Sequence, residues 1–491
     1  MDVAEIAVER PERARVRVPV WPLVVGIVSG AVFWVVHGAL IDDSYITLSY
    51  ARNLAFHGHW GLIGAEVSNS ATAPLNVLVL AAVIEVVREP VVALGVVFVL
   101  ANIALSAFLG IAARTSGFPG WIGSLGALLV ATNPLVLSTV GLEMTLASAL
   151  LGLLLLAAVR RQPVLFGLAA GLLALTRLDL GMFVLVVLIG RPSLWRGWWR
   201  WLLTAAAVTL PWFTFSWFYF GSAVPDTLVI KQLQKSWGDW DFSNGLELYH
   251  EAFPTAVAIS LIPAVLGLGC LPVVCVLRVF RRAALLWPWA LIGLGAVAHY
   301  YVYTLLGVPP YHWYYAPSLI GLSLLLIGVL GAVRWPFAAV VGCAVFAAQV
   351  WFTGQQGLPW REAAITTNWA TPADYARIGA ELGRTVGDRT VSSPGEIGAL
   401  AYYCDCAIVD EFADRGYLAP QIEQRLAGAT PFVRALLKFN YRHFTPTEPR
   451  PIDVVLRREP GPGPDPLWKI ASTWVEPAHL VLEPVPAGRV P

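Results

Sequence analysis

VPVWPLVVGIVSGAVFWVVHGALIDDSYITLSYARNLAFHGHWG, residues 18–61, sets an apolar run against an abrupt polar turn. The run from Val18 to Leu40 is long enough to cross a bilayer as a helix, about 20 residues being required. Arg10, Arg13, Arg15 and Arg17 precede it, so by the positive-inside rule it starts in the cytoplasm. It is too long for a signal-peptide core and lacks a convincing cleavage site, which makes it a retained first helix. Asp42 and Asp43 then stand at its outer mouth, followed by Arg52, Asn53, His57 and His59. Adjacent carboxylates at a membrane boundary are costly to desolvate and mark function. The plainer alternative is an N-cap for the helix that follows.

The rest of the chain belongs with this first stretch. Of 491 residues 57% are hydrophobic and 13% charged, where a soluble domain is about 25% charged. Apolar runs recur up to Phe352 and then stop. Basic clusters at Arg114, Arg160 with Arg161, Arg191 with Arg196 and Arg200, Arg278 with Arg281 and Arg282, and Arg334 mark cytoplasmic ends. Their parity gives spans near 91–113, 119–137, 143–159, 163–176, 178–190, 200–220, 254–277, 285–306, 314–332 and 336–353. With the first helix these make about eleven. Pro74–Val87 does not fit as a crossing and is read as a half-inserted helix on the outer face. The expected architecture is an all-α polytopic membrane domain over 1–353, followed by a soluble extracytoplasmic α/β domain over 354–491. In the latter, PADYARIGAELGRTVG and EIGALAYY read as helices and DRTVSSP and AIVDE as strands, with Pro-rich loops near 459–466 and at the terminus.

A net charge of +1 excludes the broad basic surface that nucleic-acid binding needs. The five cysteines show no zinc spacing. Cys270, Cys275 and Cys343 lie in apolar runs as small core residues, whereas Cys404 and Cys406 fall in an oxidising compartment where a bridge between them can form.

The same topology brings other polar residues to the outer side: Glu143, Arg177 and Asp179, the segment GSAVPDTLVIKQ with Asp226 and Lys231, and PPYHWYYAP with His312, Tyr314 and Tyr315. Acids, cations and aromatics from separate loops are what a cleft at the membrane surface requires. Glycosyl transfer from a lipid phosphate suits them. A carboxylate takes the proton of an attacking hydroxyl, and Lys231, Arg52 or Arg177 holds the phosphate as it leaves. Trp60, Trp313 and Tyr314 pack on sugar or polyprenyl, unless they are only the interfacial belt of any membrane protein. A secondary transporter is the alternative, but it would place charges at mid-membrane depth and often shows paired repeats, which are not visible here.

These residues also carry a resemblance. DDSY…ARNL…G after the first helix, GLE at 141–143, LTRLD at 175–179, the loop with Gly221, Pro225, Thr227 and Lys231, and GEIGALAYY at 395–403 occur in the order seen in the GT-C superfamily. The chain resembles its polyprenyl-phosphate-sugar-dependent membrane glycosyltransferases, most closely the arabinofuranosyltransferase-like branch, over almost its whole length. The resemblance implies Asp42 as general base, with Asp43 supporting it or binding acceptor or a divalent cation, and Glu143 as a further acid. It implies Lys231 at the donor phosphate and Arg52, Asn53, His57, Arg177, Asp179, His312 and Tyr314 around the substrates. A polyprenyl-phosphate-linked sugar would be the donor and a glycan, lipid or protein the acceptor, with membrane lipids around the helices. Leu48 and Ser49, where relatives often carry Phe-Arg, and Asp226, where Asn is common, are departures that bear on sugar or acceptor choice.

Overall fold

The computed structural model describes residues 20–64, 66–279, 284–461 and 463–485. Arg10, Arg13, Arg15, Arg17, Arg281 and Arg282, on which part of the topology rests, lie outside the described residues, as does the terminal Pro-rich tail from 486.

The membrane part is helical throughout: α1 (Val20–Val36), α2 (Asp42–His57), α3 (Pro74–Val87), α4 (Pro90–Thr115), α5 (Ile122–Ala131), α6 (Pro134–Leu137), α7 (Met144–Arg160) and α8 (Pro163–Thr176) come first. Then follow α9 (Gly181–Gly190), α10 (Trp198–Tyr219), α11 (Thr227–Gln234), α12 (Gly245–Ala252), α13 (Pro254–Val279), α14 (Trp287–Leu306), α15 (Ala316–Ala332) and α16 (Trp335–Gln355). Among the described residues, six helices are long and apolar enough to cross a membrane: Pro90–Thr115, Pro192–Tyr219, Pro254–Val279, Trp287–Leu306, His312–Ala332 and Trp335–Gln355. The expected count of about eleven spans includes helices that are shorter than this. The stretch 119–137 is broken at Thr132 and Asn133, because the Asn133 side chain accepts from the Leu135 and Val136 N–H groups and Pro134 opens a new helix. Its ten-residue α5 rises only about 15 Å. Pro74–Val87 and Pro163–Thr176 are both 14 residues long, so length does not separate the one read as interfacial from the one read as a span.

The C-terminal part adds α17 (Pro372–Val386), α18 (Gly398–Cys404), α19 (Leu418–Ala427), α20 (Pro431–Asn440) and a five-stranded sheet. The strands are β1 (Val391–Ser392), β2 (Ile408–Val409), β3 (Val454–Pro460), β4 (Lys469–Ile470) and β5 (Ala478–Pro484), in the order β2-β1-β3-β5-β4. β1 pairs in parallel with β2 and β3, whereas β5 runs antiparallel to β3 and β4. α17 is amphipathic, with Tyr375, Ile378 and Leu382 turned inward and Thr371 capping its first turn. A disulfide joins Cys404 and Cys406 at the end of α18. Buried apolar residues of this sheet, such as Val391 and Leu456, belong to one continuous core with those of the membrane helices. The C-terminal part therefore rests on the bundle as a fixed cap.

Candidate functional site

The cap and the bundle enclose a cleft of about 1300 Å³. Its floor is the start of α2. With Asp42 and Asp43 in the first turn, this helix places two negative charges at its own positive end. The two carboxylates are held differently. Asp42 is buried, and its oxygens accept from the backbone N–H of Gly398 (2.9 Å) and Ala399 (2.7 Å), so it caps α18 of the C-terminal part. The Asp42 backbone N–H in turn donates to Asn368 Oδ1 at 3.1 Å. Burial pushes the Asp42 carboxyl up to about 7, against the pull of the Ala399 N–H and with the charge of Asp43 adding to the rise. Asp43 lines the cleft, and among the described residues no other residue holds its carboxylate by a hydrogen bond or ion pair. Burial raises the Asp43 carboxyl too, the positive charge of Lys231 opposing and the charge of Glu143 adding.

Glu143 reaches this floor because of Gly141. At φ +101° that glycine holds a conformation other residues resist, and a Cβ there would lie 2.5 Å from the Ser44 Cβ of α2. Ser44 Oγ donates to Val140 O and Asn76 Nδ2 to Gly141 O, fixing the turn against α2. Glu143 then accepts from Arg177 Nη1 at 2.8 Å. Arg177 also donates from Nε to Asp179 Oδ1 (2.9 Å) and from Nη2 to Tyr303 Oη (2.6 Å), with its guanidinium over the Tyr314 ring. Asp179 further takes hydrogen bonds from Tyr303 Oη and His299 Nε2. Arg177 is thus spent between two carboxylates.

Lys231 is the contrasting cation. Its Nζ lies 4.5 Å from the centre of the Tyr311 ring and 5.4 and 5.9 Å from those of Trp313 and Tyr314, and among the described residues it has no ion-pair partner. α11 carries it over the cleft.

Several residues singled out in the sequence lie elsewhere. Arg52 donates to Tyr402 O, stacks on the Tyr402 ring and approaches Asp405 at 3.5 Å, at the contact between α2 and α18. Asn53 donates to Gly61 O and Leu62 O and shapes the turn after α2. His57 ends α2, exposed and about 22 Å of helix away from Asp42. His312 is buried edge-on to Tyr249, outside the cleft wall. Trp60 packs on Trp212 at 4.6 Å, also away from the cleft.

Other wall residues were not singled out. Glu396, inside GEIGALAYY, accepts from Trp369 N, Asn368 Nδ2 and Tyr375 Oη. Burial pushes its carboxyl up to about 8, with Asp42 adding to the rise. Asp410 accepts from Phe412 N and Ala413 N, and burial raises it to about 6 against those two bonds. His299 and Tyr303 sit behind Arg177; a histidine in the apolar run 285–306 was the available signal. Among the described residues no three His, Cys, Asp or Glu side chains converge as a metal site.

No family model and no curated protein matches the chain in sequence. Solved structures do match in fold. ArnT from Cupriavidus metallidurans bound to undecaprenyl phosphate superposes with a TM-score of 0.58 at 14% identity, over 95% of this chain and 98% of that one. The archaeal oligosaccharyltransferase AglB from Archaeoglobus fulgidus, in complex with an inhibitory peptide and a dolichol-phosphate, gives 0.50 at 12% identity over 89% and 69%. The mycobacterial arabinofuranosyltransferase AftD gives 0.50 at 15% identity over 90% of this chain and 35% of that larger one. The fold shared with all three is the GT-C fold that the motif order implied.

Proposed function

We propose that this chain is a membrane glycosyltransferase that moves a sugar, of the arabinofuranose type, from a polyprenyl-phosphate donor to an extracytoplasmic glycan, lipid or protein acceptor. The observation that carries the reading is the pairing, in one cleft, of an unheld carboxylate, Asp43, with an unpaired cation in an aromatic setting, Lys231. The acceptor hydroxyl oxygen bonds to the anomeric carbon as its proton passes to Asp43. The bond from that carbon to the phosphate oxygen breaks, and the electron pair leaves with the lipid phosphate, whose growing charge Lys231 offsets. One displacement inverts the anomeric centre. Tyr311, Trp313 and Tyr314 wall the space between.

The resemblance pointed to Asp42 as base, with Asp43 beside it. The hydrogen bonding favours the reverse assignment: Asp42 holds α18 and keeps the first turn of α2 in place, and Asp43 works as base. The likeness to structures that hold undecaprenyl phosphate or dolichol-phosphate supports a lipid-linked donor, and the likeness to AftD supports the sugar class. On this reading the N-terminus is cytoplasmic, and the cleft with the C-terminal part is extracytoplasmic.

The test is transfer from a radiolabelled polyprenyl-phosphate donor in detergent. Asp43→Asn loses at least about 10²-fold in kcat, the low end for general base catalysis. Asp42→Asn loses less in kcat and instead speeds amide hydrogen exchange over 398–404. Wild-type-like turnover of Asp43→Asn would remove it as base. Substrate flux in sealed proteoliposomes without transfer would replace the reading by a transporter.

A further inference from the structure

Helix α20 has three faces. Val433 and Leu437, with Tyr441 just past the helix end, turn inward and pack with Val229 of α11, Leu426 of α19 and Ala429 just after it. Arg434 and Lys438 stand four residues apart on a second face, and Arg442 follows in the turn just past the helix. On the third, Phe432, Leu436 and Phe439 are exposed by 74%, 53% and 58%. Among the described residues only Trp217 packs against this stripe, at Phe439, and all three side chains stay more than half exposed. Three large apolar side chains gathered on one exposed helix face mark a surface for a partner or a membrane.

The position of the helix says what the partner is. The end of α10 is its neighbour: Trp217 Nε1 donates to Phe439 O at 3.0 Å, the Trp217 and Phe439 rings lie 4.7 Å apart, and Trp217 and Phe218 both pack on His443. The Val224 N–H, just past α10, donates to Asn440 Oδ1. α10 belongs to the span Pro192–Tyr219, whose most apolar window is only 6% buried in protein. Its exposed Leu203, Leu210, Phe215 and Phe218 therefore face lipid. Phe439 abuts the end of that lipid-facing surface at Trp217, and Phe432 and Leu436 share its helix face. The neighbouring cationic face is the second mark of a helix lying in the membrane interface. Arg434 donates to Leu426 O and Ala429 O and is held by the protein, whereas Lys438 and Arg442 have no ion-pair partner among the described residues.

We infer that α20 is an interfacial helix, which seats the C-terminal part in the lipid leaflet beside the cleft, with Lys438 and Arg442 at lipid phosphates. Its inner face rests on α11, the helix that carries Lys231. Membrane contact at α20 therefore steadies the element that holds the cation over the cleft. The inference stands on the membrane spans and does not depend on the reaction proposed above.

The full chain, with Cys270, Cys275 and Cys343 replaced by serine, is spin-labelled at single cysteines: Phe432→Cys, Leu436→Cys, Phe439→Cys and, as a control on α19, Glu423→Cys. It is reconstituted in phosphatidylcholine vesicles. Collisions with oxygen, which concentrates in lipid, outnumber those with a water-soluble nickel chelate at 432, 436 and 439, and the order reverses at 423. Adding phosphatidylglycerol moves the three labels deeper, and the double variant Lys438→Gln, Arg442→Gln loses that response. Nickel contact at 432, 436 and 439 equal to that at 423 would put the face in water and overturn the inference. Shielding of these positions from both reagents would overturn it as well, because a second copy of the chain would then cover the face. Depth that is indifferent to phosphatidylglycerol in the parent chain would remove Lys438 and Arg442 from lipid phosphates.

Discussion

Gly398→Ala tests whether the C-terminal part holds the floor of the cleft. A Cβ at position 398 would lie 2.0 Å from the Asp42 backbone oxygen, with the Asp42 carbonyl carbon at 2.8 Å. The obstacle is main chain in the first turn of α2, which cannot rotate away as a side chain could. Relief to an ordinary contact of about 3.4 Å requires α18 to retreat by more than an ångström. The two bonds from Gly398 and Ala399 to Asp42, now 2.9 and 2.7 Å, then stretch beyond hydrogen-bonding range. Each is worth about 1.5 to 3 kcal/mol with a carboxylate as acceptor. Their joint loss releases the cap from α2 by about 3 to 6 kcal/mol, and an ångström of misplacement near the reacting groups costs on the order of 10²-fold in rate. Hydrogen exchange resolved by peptide, read beside donor turnover, checks both parts. Protection over 398–404 should fall and kcat should drop, while the helices of the bundle keep their protection. Unchanged protection and turnover in Gly398→Ala would refute the idea that this contact positions α2.

Lys231→Ala should lower kcat/KM by on the order of 10²-fold, about 3 kcal/mol of transition-state binding, and Lys231→Arg should retain more; transfer equal to wild type across donor concentrations would take Lys231 out of the site. Arg177→Ala leaves Glu143 and Asp179 without their shared cation and should destabilise the protein by about 3 to 5 kcal/mol, seen as a lower Tm; a raised donor KM at unchanged Tm would instead make Arg177 a substrate ligand. The cap contact should also respond to pH. Asp42 and Glu396 are raised to about 7 and about 8 from ordinary values of 3.8 and 4.5, so the folded form binds protons that the unfolded chain releases. Their contribution is fully present below about pH 4 and is lost as pH rises through about 7 to 8. Protection over 396–404, corrected for the intrinsic rise of amide exchange with pH, should fall between about pH 4 and 8, and Glu396→Gln should flatten that fall; protection that rises over this range would contradict the assignment.

The sequence disclosed elements better than partners. A run such as Pro254–Val279 is legible because length and apolarity decide it locally, and Gly141 could be flagged because its motif named it. What Asp42 does was not legible, because its partners are the N–H groups of Gly398 and Ala399, more than 350 residues away in sequence. Arg52 and Arg177 show the same limit. A guanidinium at the outer face reads as a phosphate ligand until its carboxylates and carbonyls are known, and here Asp179, Glu143 and the Tyr402 oxygen have claimed them. Lys231 escapes this fate because its neighbours are aromatic rings, which stabilise a cation without neutralising it. Glu396 and Asp410 were missed for a different reason. They lie in a segment whose composition reads as an ordinary soluble α/β fold, and only the docking of that fold turns them into cleft wall.

The two groups proposed to act on substrate therefore stand on helices that the C-terminal part holds. α2 with Asp43 is tied to α18 through Asp42, Arg52 and the tilted ring contacts of Tyr45 with Tyr402 and Tyr403. α11 with Lys231 is tied to α19 and α20 through Val229 and Ile230 and through Arg425, which donates to Gln232 Oε1. Neither helix is fixed by the bilayer: α11 has only eight residues, and α2 carries two acids in its first turn and polar residues along its length. Short polar helices of this kind are marginal alone, so their geometry must come from tertiary contact. A cap that contacts both can set the separation of base and phosphate cation, while the spanning helices only carry the frame. That arrangement explains why polar residues of the α2–α18 contact, Arg52 and Asp42 among them, sit in the same motif as the acid that faces the cleft.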